Sequence, residues 1–439
     1  MMSFVSSFFV YIYILINILL LVIYVKRLIV NDPCMLKGKV NISGSKNAAI
    51  PIICTSIIKR GKVVLKNIPR ISDIFNLLKI IKELNCKVVF IQNTLIIDST
   101  NIKYKSLNNE HARKIRGSYY LIGPLLFLFG KCEIALPGGC SIGERPIDAH
   151  IDMLESYGNK VEIINNVLCV VRLNETKELT YKMIKKSVGA SINAIICSCL
   201  LEKIVLSDLV IEPEAKDVIS FMKKIGFEII FNQEECIIYN SVFERKIIKH
   251  KIIPDRIEAM TFIILGLLTG NIKVCKSNIE HYQYPLNLLI KAGYHIKIKK
   301  GNVIAKKFRG KAFDIETGIY PKFPTDMQPL FGVLLSTSKG NSQITENIFE
   351  NRMHIYEDLN LAKACVNVVD NKAYIIGVDN LSYSNYYSKD LRHSAAVVLL
   401  ALTYGGTVDN LDVLNRGYEV FFYKIRQLRA VFKIINIKN

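Results

Sequence analysis

The stretch Leu136-Pro137-Gly138-Gly139-Cys140-Ser141-Ile142-Gly143-Glu144-Arg145-Pro146 places a thiol among three glycines and two prolines. That composition reads as a loop, with Cys140 five residues before Arg145. A cysteine on a Gly-rich loop with cationic neighbours can serve as a proton donor or as a nucleophile. The remaining cysteines (Cys34, Cys54, Cys86, Cys132, Cys169, Cys197, Cys199, Cys236, Cys275 and Cys365) are scattered. They form no CxxC pair and no Cys/His cluster with zinc spacing. Most of them read as small buried hydrophobes of a reduced, intracellular protein.

A second group of chemistry-bearing residues stands at or near the openings of apolar runs: Lys46, Arg116, Asp255, Asp326, Asp390 and Arg392. A helix start offers free N–H groups and the positive end of the helix dipole. Several starts that converge therefore make a cradle for an anion. Any one of these charges, alone, reads as a cap or a solvated end. Their recurrence points instead to a site for a densely anionic substrate.

The elements that must position them repeat. Six apolar runs read as helices: KNAAIPIICTSIIKRG from Lys46, RGSYYLIGPLLFLFG from Arg116, SVGASINAIICSCLLEK from Ser187, DRIEAMTFIILGLLTG from Asp255, TDMQPLFGVLLSTSKG from Thr325 and DLRHSAAVVLLALTYGG from Asp390. A strand-like tract follows each: KVVLKNI, KCEIALPG, IVLSDLVI, NIKVCKSNI, NSQITENI and TVDNLDVL. Then come amphipathic segments such as AKDVISFMKKIGF and YPLNLLIKAGYHI, and alternating strands such as KVVFIQNTLIID. The unit recurs roughly every 65–70 residues. Its first helix is apolar nearly all round, so neighbours must enclose it. Three units around a buried helical core make one domain. Six make two similar α/β domains with a natural ligand site between them.

Composition agrees with that size. The chain has 439 residues, half of them hydrophobic and 22% charged, enough for two or three domains with proper cores. Its 24 glycines and 12 prolines are too dilute for a disordered or collagen-like chain. The net charge of +20 would suit nucleic acid, an anionic membrane or acidic ligands. No basic run with interleaved aromatics marks a nucleic-acid face, so the excess reads as compositional, with Lys, Ile and Asn inflated as in an A+T-rich genome. Residues 1–25 carry no charged side chain and are long enough to span a bilayer. They read as an anchor, a membrane-associating leader, or sequence upstream of a mis-called start, the last being favoured. Membrane contact is expected only through this segment.

NISGSKNAAIP, RGSYYLIGP, LPGGCSIGERPIDAHI, KSVGAS, PDRIEA, FPTDMQ, FENR, DLR and NRGYE occur in that order from about Lys26 onward. Together they resemble the UDP-N-acetylglucosamine 1-carboxyvinyltransferases, a family of enolpyruvyl transferases. The related 5-enolpyruvylshikimate-3-phosphate synthases lack the PGGCxIGxRPxDxH loop. The resemblance implies an α/β fold of two similar domains, each an inside-out α/β barrel of three repeats. Residues 46–253 would form the domain that carries the Cys140 loop. Residues 26–45 with 254–439 would form the second, and 1–25 a hydrophobic extension.

It also implies a cytoplasmic enzyme that moves the enolpyruvyl group of phosphoenolpyruvate to the 3′-hydroxyl of UDP-N-acetylglucosamine, releasing phosphate, without metal or organic cofactor and without nucleic acid. By resemblance Cys140 is the acid at C3, able to form a covalent adduct and open to alkylation by fosfomycin. Asp326 would deprotonate the sugar hydroxyl. Lys46, Arg145 and Arg416 would hold phosphate, Arg416 also acting in catalysis. Arg352 and Arg392 would hold the carboxylate, and Asn47 would enter the same pocket. The sugar nucleotide would meet Arg116, Arg145, Pro146, Ile147, Asp148, Ala149, Lys185, Lys186, Ser187, Val188, Asp326 and Ile348. His150 and His354 read as structural.

Three departures from the family pattern stand out. Glu144 replaces a small residue, LDVLN precedes Arg416 where relatives carry an aromatic and a His, and the spacing after Arg352 in FENRMHIYEDL shifts near Glu357-Asp358. No matched catalytic residue is lost. The alternatives are a 5-enolpyruvylshikimate-3-phosphate synthase-like enzyme and an idle, membrane-tethered homologue.

Overall fold

A computed structural model of the chain describes residues 24–136, 147–173, 176–232, 235–240 and 247–438. Cys140, Glu144, Arg145 and Pro146, and residues 1–23 of the apolar extension, lie outside the described residues.

Each apolar run contains a buried helix: Lys46–Thr55, Ile122–Phe129, Val188–Cys197, Arg256–Thr269, Gln328–Leu335 and Leu391–Tyr404. Apolar side chains on every face leave such a helix no side to show to water, and all 14 residues of Arg256–Thr269 are buried. Three of the starts carry a side-chain cap. Ser187 accepts from the Ala190 N–H, Asp255 from Ile257 and Glu258, and Asp390 from Arg392 and His393.

Around these helices the same unit is built six times. In the first, the strand Lys62–Lys66, an outer helix Ser72–Glu83 and the strands Lys87–Ile91 and Thr94–Asp98 follow the buried helix. Those three strands pair antiparallel, and a strand from elsewhere in the chain, Ile248–Lys251, joins the edge in parallel with Ile248 opposite Val63. Five sheets have this four-stranded pattern. The sixth has three strands, and a single Leu107–Ile134 bridge marks the place of the fourth. The last sheet is completed by the amino-terminal strand Tyr24–Val30, whose Leu28 lies opposite both Val408 and Ile434. That strand takes in Tyr24 and Val25, the last two residues of the charge-free segment.

The architecture is α/β, two similar halves with helices inside and open sheets outside. The buried apolar residues fall into two clusters. One draws on Ala48 through Ile252, the other on Leu28 through Ile42 and Ile257 through Leu428. The chain passes between them twice, and the two passages run side by side. Ser45 N–H donates to Ile253 O at 2.8 Å and Asp255 N–H to Ser43 O at 2.9 Å. A Cβ at Gly44 would come 1.8 Å from the Asn67 carbonyl oxygen, so only glycine fits this passage.

One tract departs from its strand-like reading. In TVDNLDVL the strand stops at Asp409, Asn410 takes a left-handed conformation (φ 60°), and Leu411–Arg416 forms a 3-10 helix. Among the described residues the cysteines are free and most are buried, no helix is long and apolar enough to cross a membrane, and no cluster of His, Cys, Asp or Glu could hold a metal ion.

Candidate active site between the two cores

Three of the charged openings come together: Lys46 and Arg392 are close enough to act on each other, and Arg392 meets Asp326. Lys46 opens its helix without a side-chain cap, and its Nζ lies 2.7 Å from Asp73 Oδ2, in the first turn of the outer helix Ser72–Glu83. Arg416, from the other core, brings its Nε to 3.2 Å from Asp73 Oδ1. Asp73 is buried, so this carboxylate is shared by a cation from each half. Burial pulls the Lys46 pKa below its ordinary value. Asp73 opposes that, and the charges of Arg392 and Arg416 add to it. Lys46, Arg392 and Arg416 therefore face one another closely enough to interact. Asn47, next in the chain, is exposed.

Asp326 lies in the short 3-10 turn Thr325–Met327 that leads into the helix Gln328–Leu335. Arg352 Nη1 donates to its Oδ1 at 2.5 Å and Arg392 Nη2 to its Oδ2 at 2.8 Å. Both arginines are buried, while the Asp326 side chain is 26% exposed. Burial alone would raise the Asp326 pKa, but the charges of Arg392 and Arg352 overcome it and hold the carboxyl well below the usual carboxylate range. The Phe349 ring lies 5.0 Å from the Arg352 guanidinium and the Tyr418 ring 5.9 Å from that of Arg392.

The remaining expected residues take separate positions. Arg116 opens the 3-10 segment Arg116–Leu121, close enough to His150 for its charge to act on the imidazole. Burial first, then that charge, lowers the His150 pKa to about 4. Its Nδ1 lies 3.2 Å from Asn193 Nδ2. His354 is half-buried. Ile147 precedes the helix Asp148–Ser156, which holds Asp148 exposed and Ala149 buried. Lys185 and Lys186 are exposed ahead of the cap Ser187, and Val188 is the first residue of its helix. Ile348 is exposed, and its N–H donates to Glu346 at 2.8 Å.

Several contributors escaped the sequence reading. Asp73 is one. Glu346, buried, accepts from Thr317 and Thr325 hydroxyls at 2.9 Å each and from the Ile348 and Phe349 N–H groups, which ties the Ile348 loop to the Asp326 turn. Arg256 reaches from the second core to Glu212 (2.9 Å) and Glu214 (3.1 Å) of the first. Burial, with Glu214 and Asp326 adding and Arg256 opposing, raises the Glu212 pKa to about 7. Arg256 stands inside the PDRIEA tract, where attention to the opening charge picks out Asp255 and passes over its neighbour.

The family model for EPSP synthase (3-phosphoshikimate 1-carboxyvinyltransferase) matches residues 30–425. The UDP-N-acetylglucosamine 1-carboxyvinyltransferase of Wolbachia pipientis wMel is 36% identical over 424 residues, covering 93% of this chain and 99% of that protein. The enzyme of the same name from Buchnera aphidicola subsp. Schizaphis graminum is 38% identical, covering 93% of this chain and 100% of that one. Among solved structures, the enolpyruvyl transferase NikO from Streptomyces tendae superposes with a TM-score of 0.86 at 18% identity, covering 94% of this chain and 99% of that one, and so shares the fold. Near-full-length identity of this order, on this fold, leaves one conclusion: the chain belongs to the enolpyruvyl transferases, in the UDP-N-acetylglucosamine 1-carboxyvinyltransferase family.

Proposed function

We infer that the chain transfers the enolpyruvyl group of phosphoenolpyruvate to the 3′-hydroxyl of UDP-N-acetylglucosamine with release of phosphate, the first committed step of peptidoglycan synthesis. The observation that carries this reading is the meeting of Lys46 with Arg392 and Arg416 beside the Arg352–Asp326–Arg392 triad, in a chain whose near-full-length relatives bear that enzyme's name. The two apolar clusters support a division into one domain of residues 46–253 and a second of 26–45 with 254–439. The cleft between them is the proposed site, in the cytoplasm.

The chemistry needs a proton at C3, an oxygen nucleophile at C2 and a departing phosphate. Lys46 and Arg416, with Arg145, supply the cationic side for phosphate. Arg352 and Arg392 supply two guanidinium forks for the carboxylate. Asp326 fills those forks in the structure, so it is a poor base as it stands. An entering substrate carboxylate takes over the same donors. Asp326 then recovers basicity and accepts the sugar hydroxyl proton as the oxygen attacks C2. Cys140 donates the proton to C3, and the tetrahedral adduct then expels phosphate as C3 gives a proton back, which restores the C2=C3 double bond of the enolpyruvyl ether. Arg116, Arg145 to Ala149, Lys185 to Val188 and Ile348 hold the sugar nucleotide.

The test is phosphate release by the purified chain. Release from phosphoenolpyruvate should require UDP-N-acetylglucosamine. Release driven by shikimate 3-phosphate instead would overturn the acceptor, and none with either acceptor would overturn the activity.

A further inference from the structure

Arg352 and Arg392 lie on different elements, and nothing local in the chain fixes the distance between their guanidinium groups. Each has its own support, Phe349 for Arg352 and Tyr418 for Arg392. A third contact joins the elements themselves. His393 follows Arg392 in the first turn of the helix Leu391–Tyr404. Asp358 lies in the helix Ile355–Leu361, which continues directly from the 3-10 segment Glu350–His354 that holds Arg352. His393 Nε2 and Asp358 Oδ2 are 2.7 Å apart, with side chains only 2% and 8% exposed. On the other side of the ring, the Lys389 backbone N–H donates to His393 Nδ1 at 3.3 Å. That bond leaves the ring proton on Nε2, so the imidazole donates to Asp358. Asp390 fixes the same turn by accepting from the Arg392 and His393 N–H groups at 2.8 and 3.2 Å. At the surface, Lys389 Nζ meets Glu357 Oε2 at 2.7 Å, a second tie between the same two elements.

We propose that the His393–Asp358 pair is a positioning device that holds Arg352 and Arg392 one carboxylate apart, and so sets the affinity of the site for the carboxylate of phosphoenolpyruvate. The proposal rests on the functional reading given above. The spacing is visible in the structure, where one carboxylate, that of Asp326, places an oxygen on each arginine. A rigid fork aimed at a planar guest tolerates little displacement, so an error in the gap costs binding directly. The buried bond is suited to hold it, because a hydrogen bond to a buried carboxylate is among the stronger ones and leaves a costly unpaired charge when broken.

The test compares Michaelis constants for the two substrates in the full chain. His393→Ala and Asp358→Ala should each raise the KM for phosphoenolpyruvate roughly tenfold while leaving that for UDP-N-acetylglucosamine and kcat within about twofold. The double variant should be no worse than either single one, because both remove the same bond. His393→Gln, which keeps an N–H donor near the Nε2 position, should recover most of the loss. A merely structural pair would instead shift both KM values together, or leave them unchanged while the melting temperature falls, with no rescue of KM by Gln. Either result overturns the proposal. If the alanine variants do not fold, His393→Gln and Asp358→Asn carry the comparison. A crystal structure of Asp358→Ala reads the gap without turnover. Arg352 should leave Asp326, and an intact Arg352–Asp326–Arg392 triad would overturn the positioning role. Failure of the wild-type chain to react with the two substrates overturns the functional reading alone.

Discussion

Arg416 reaches from the second core to the first and sets its Nε 3.2 Å from Asp73 Oδ1, on the same carboxylate that holds Lys46 at 2.7 Å. Asp73 therefore keeps two cations from different halves of the molecule in one place. It also favours the charged form of Lys46, against burial and the neighbouring arginines, which together lower its pKa.

Replacing Asp73 should show this as a pH effect. Lys46 is a cation below its pKa and neutral above it, and loss of Asp73 lowers that pKa further. In Asp73→Asn the alkaline fall of kcat/KM for phosphoenolpyruvate should move to lower pH. A profile that only drops in height, with its alkaline limb in place, would show that Asp73 does not sustain the Lys46 charge.

Asp326→Asn separates the two jobs given to Asp326. The amide cannot take a proton from the sugar hydroxyl, so kcat should fall on the order of 10²–10⁴-fold. The same change removes a charged competitor from Arg352 and Arg392. Calorimetric affinity for phosphoenolpyruvate, measured with UDP-N-acetylglucosamine present, should then be unchanged or several-fold tighter. Weaker binding would mean that Asp326 orders the arginines and does not stand in for the substrate carboxylate.

Glu212 offers a stability test in a different pH window. Its folded pKa, about 7, is raised above the ordinary value of 4.5, so the native state holds a proton that the unfolded chain gives up. The linked stabilisation is fully present below pH 4.5 and is lost as pH rises through 7. The full effect is on the order of 3 kcal/mol at the limit. Glu212→Gln should flatten the decline of melting temperature between those values relative to wild type. Parallel curves would show that Glu212 is ionised throughout, held by Arg256.

The six buried helices could be read from sequence because apolar character on every face is a local property, and so could the charges that open them. The partners of those charges could not. Asp73, Glu346, Asp358 and Glu212 sit in outer helices and loops where an acidic residue has no distinguishing neighbours. Only folding brings Asp73 to Arg416, or Asp358 to His393. The strand-like tract TVDNLDVL is strand only as far as Asp409, because the left-handed turn at Asn410 redirects the chain into the 3-10 segment that ends at Arg416.

Cys140 lies outside the described residues, so its role is tested by chemistry. As the donor of a proton to C3, the thiol must keep that proton near neutral pH, which its ordinary pKa of about 8.5 allows. A hydroxyl is far too weak an acid for the step, so Cys140→Ser should abolish or nearly abolish phosphate release. A carboxylic acid can donate the same proton if a dry site raises its pKa, so Cys140→Asp should retain substantial turnover. Fosfomycin alkylates a thiol and should inactivate the wild type while sparing the Asp variant. If Cys140 were only a small residue in a Gly-rich turn, serine would be nearly silent. Wild-type turnover in Cys140→Ser would refute the acid assignment even with the substrates unchanged.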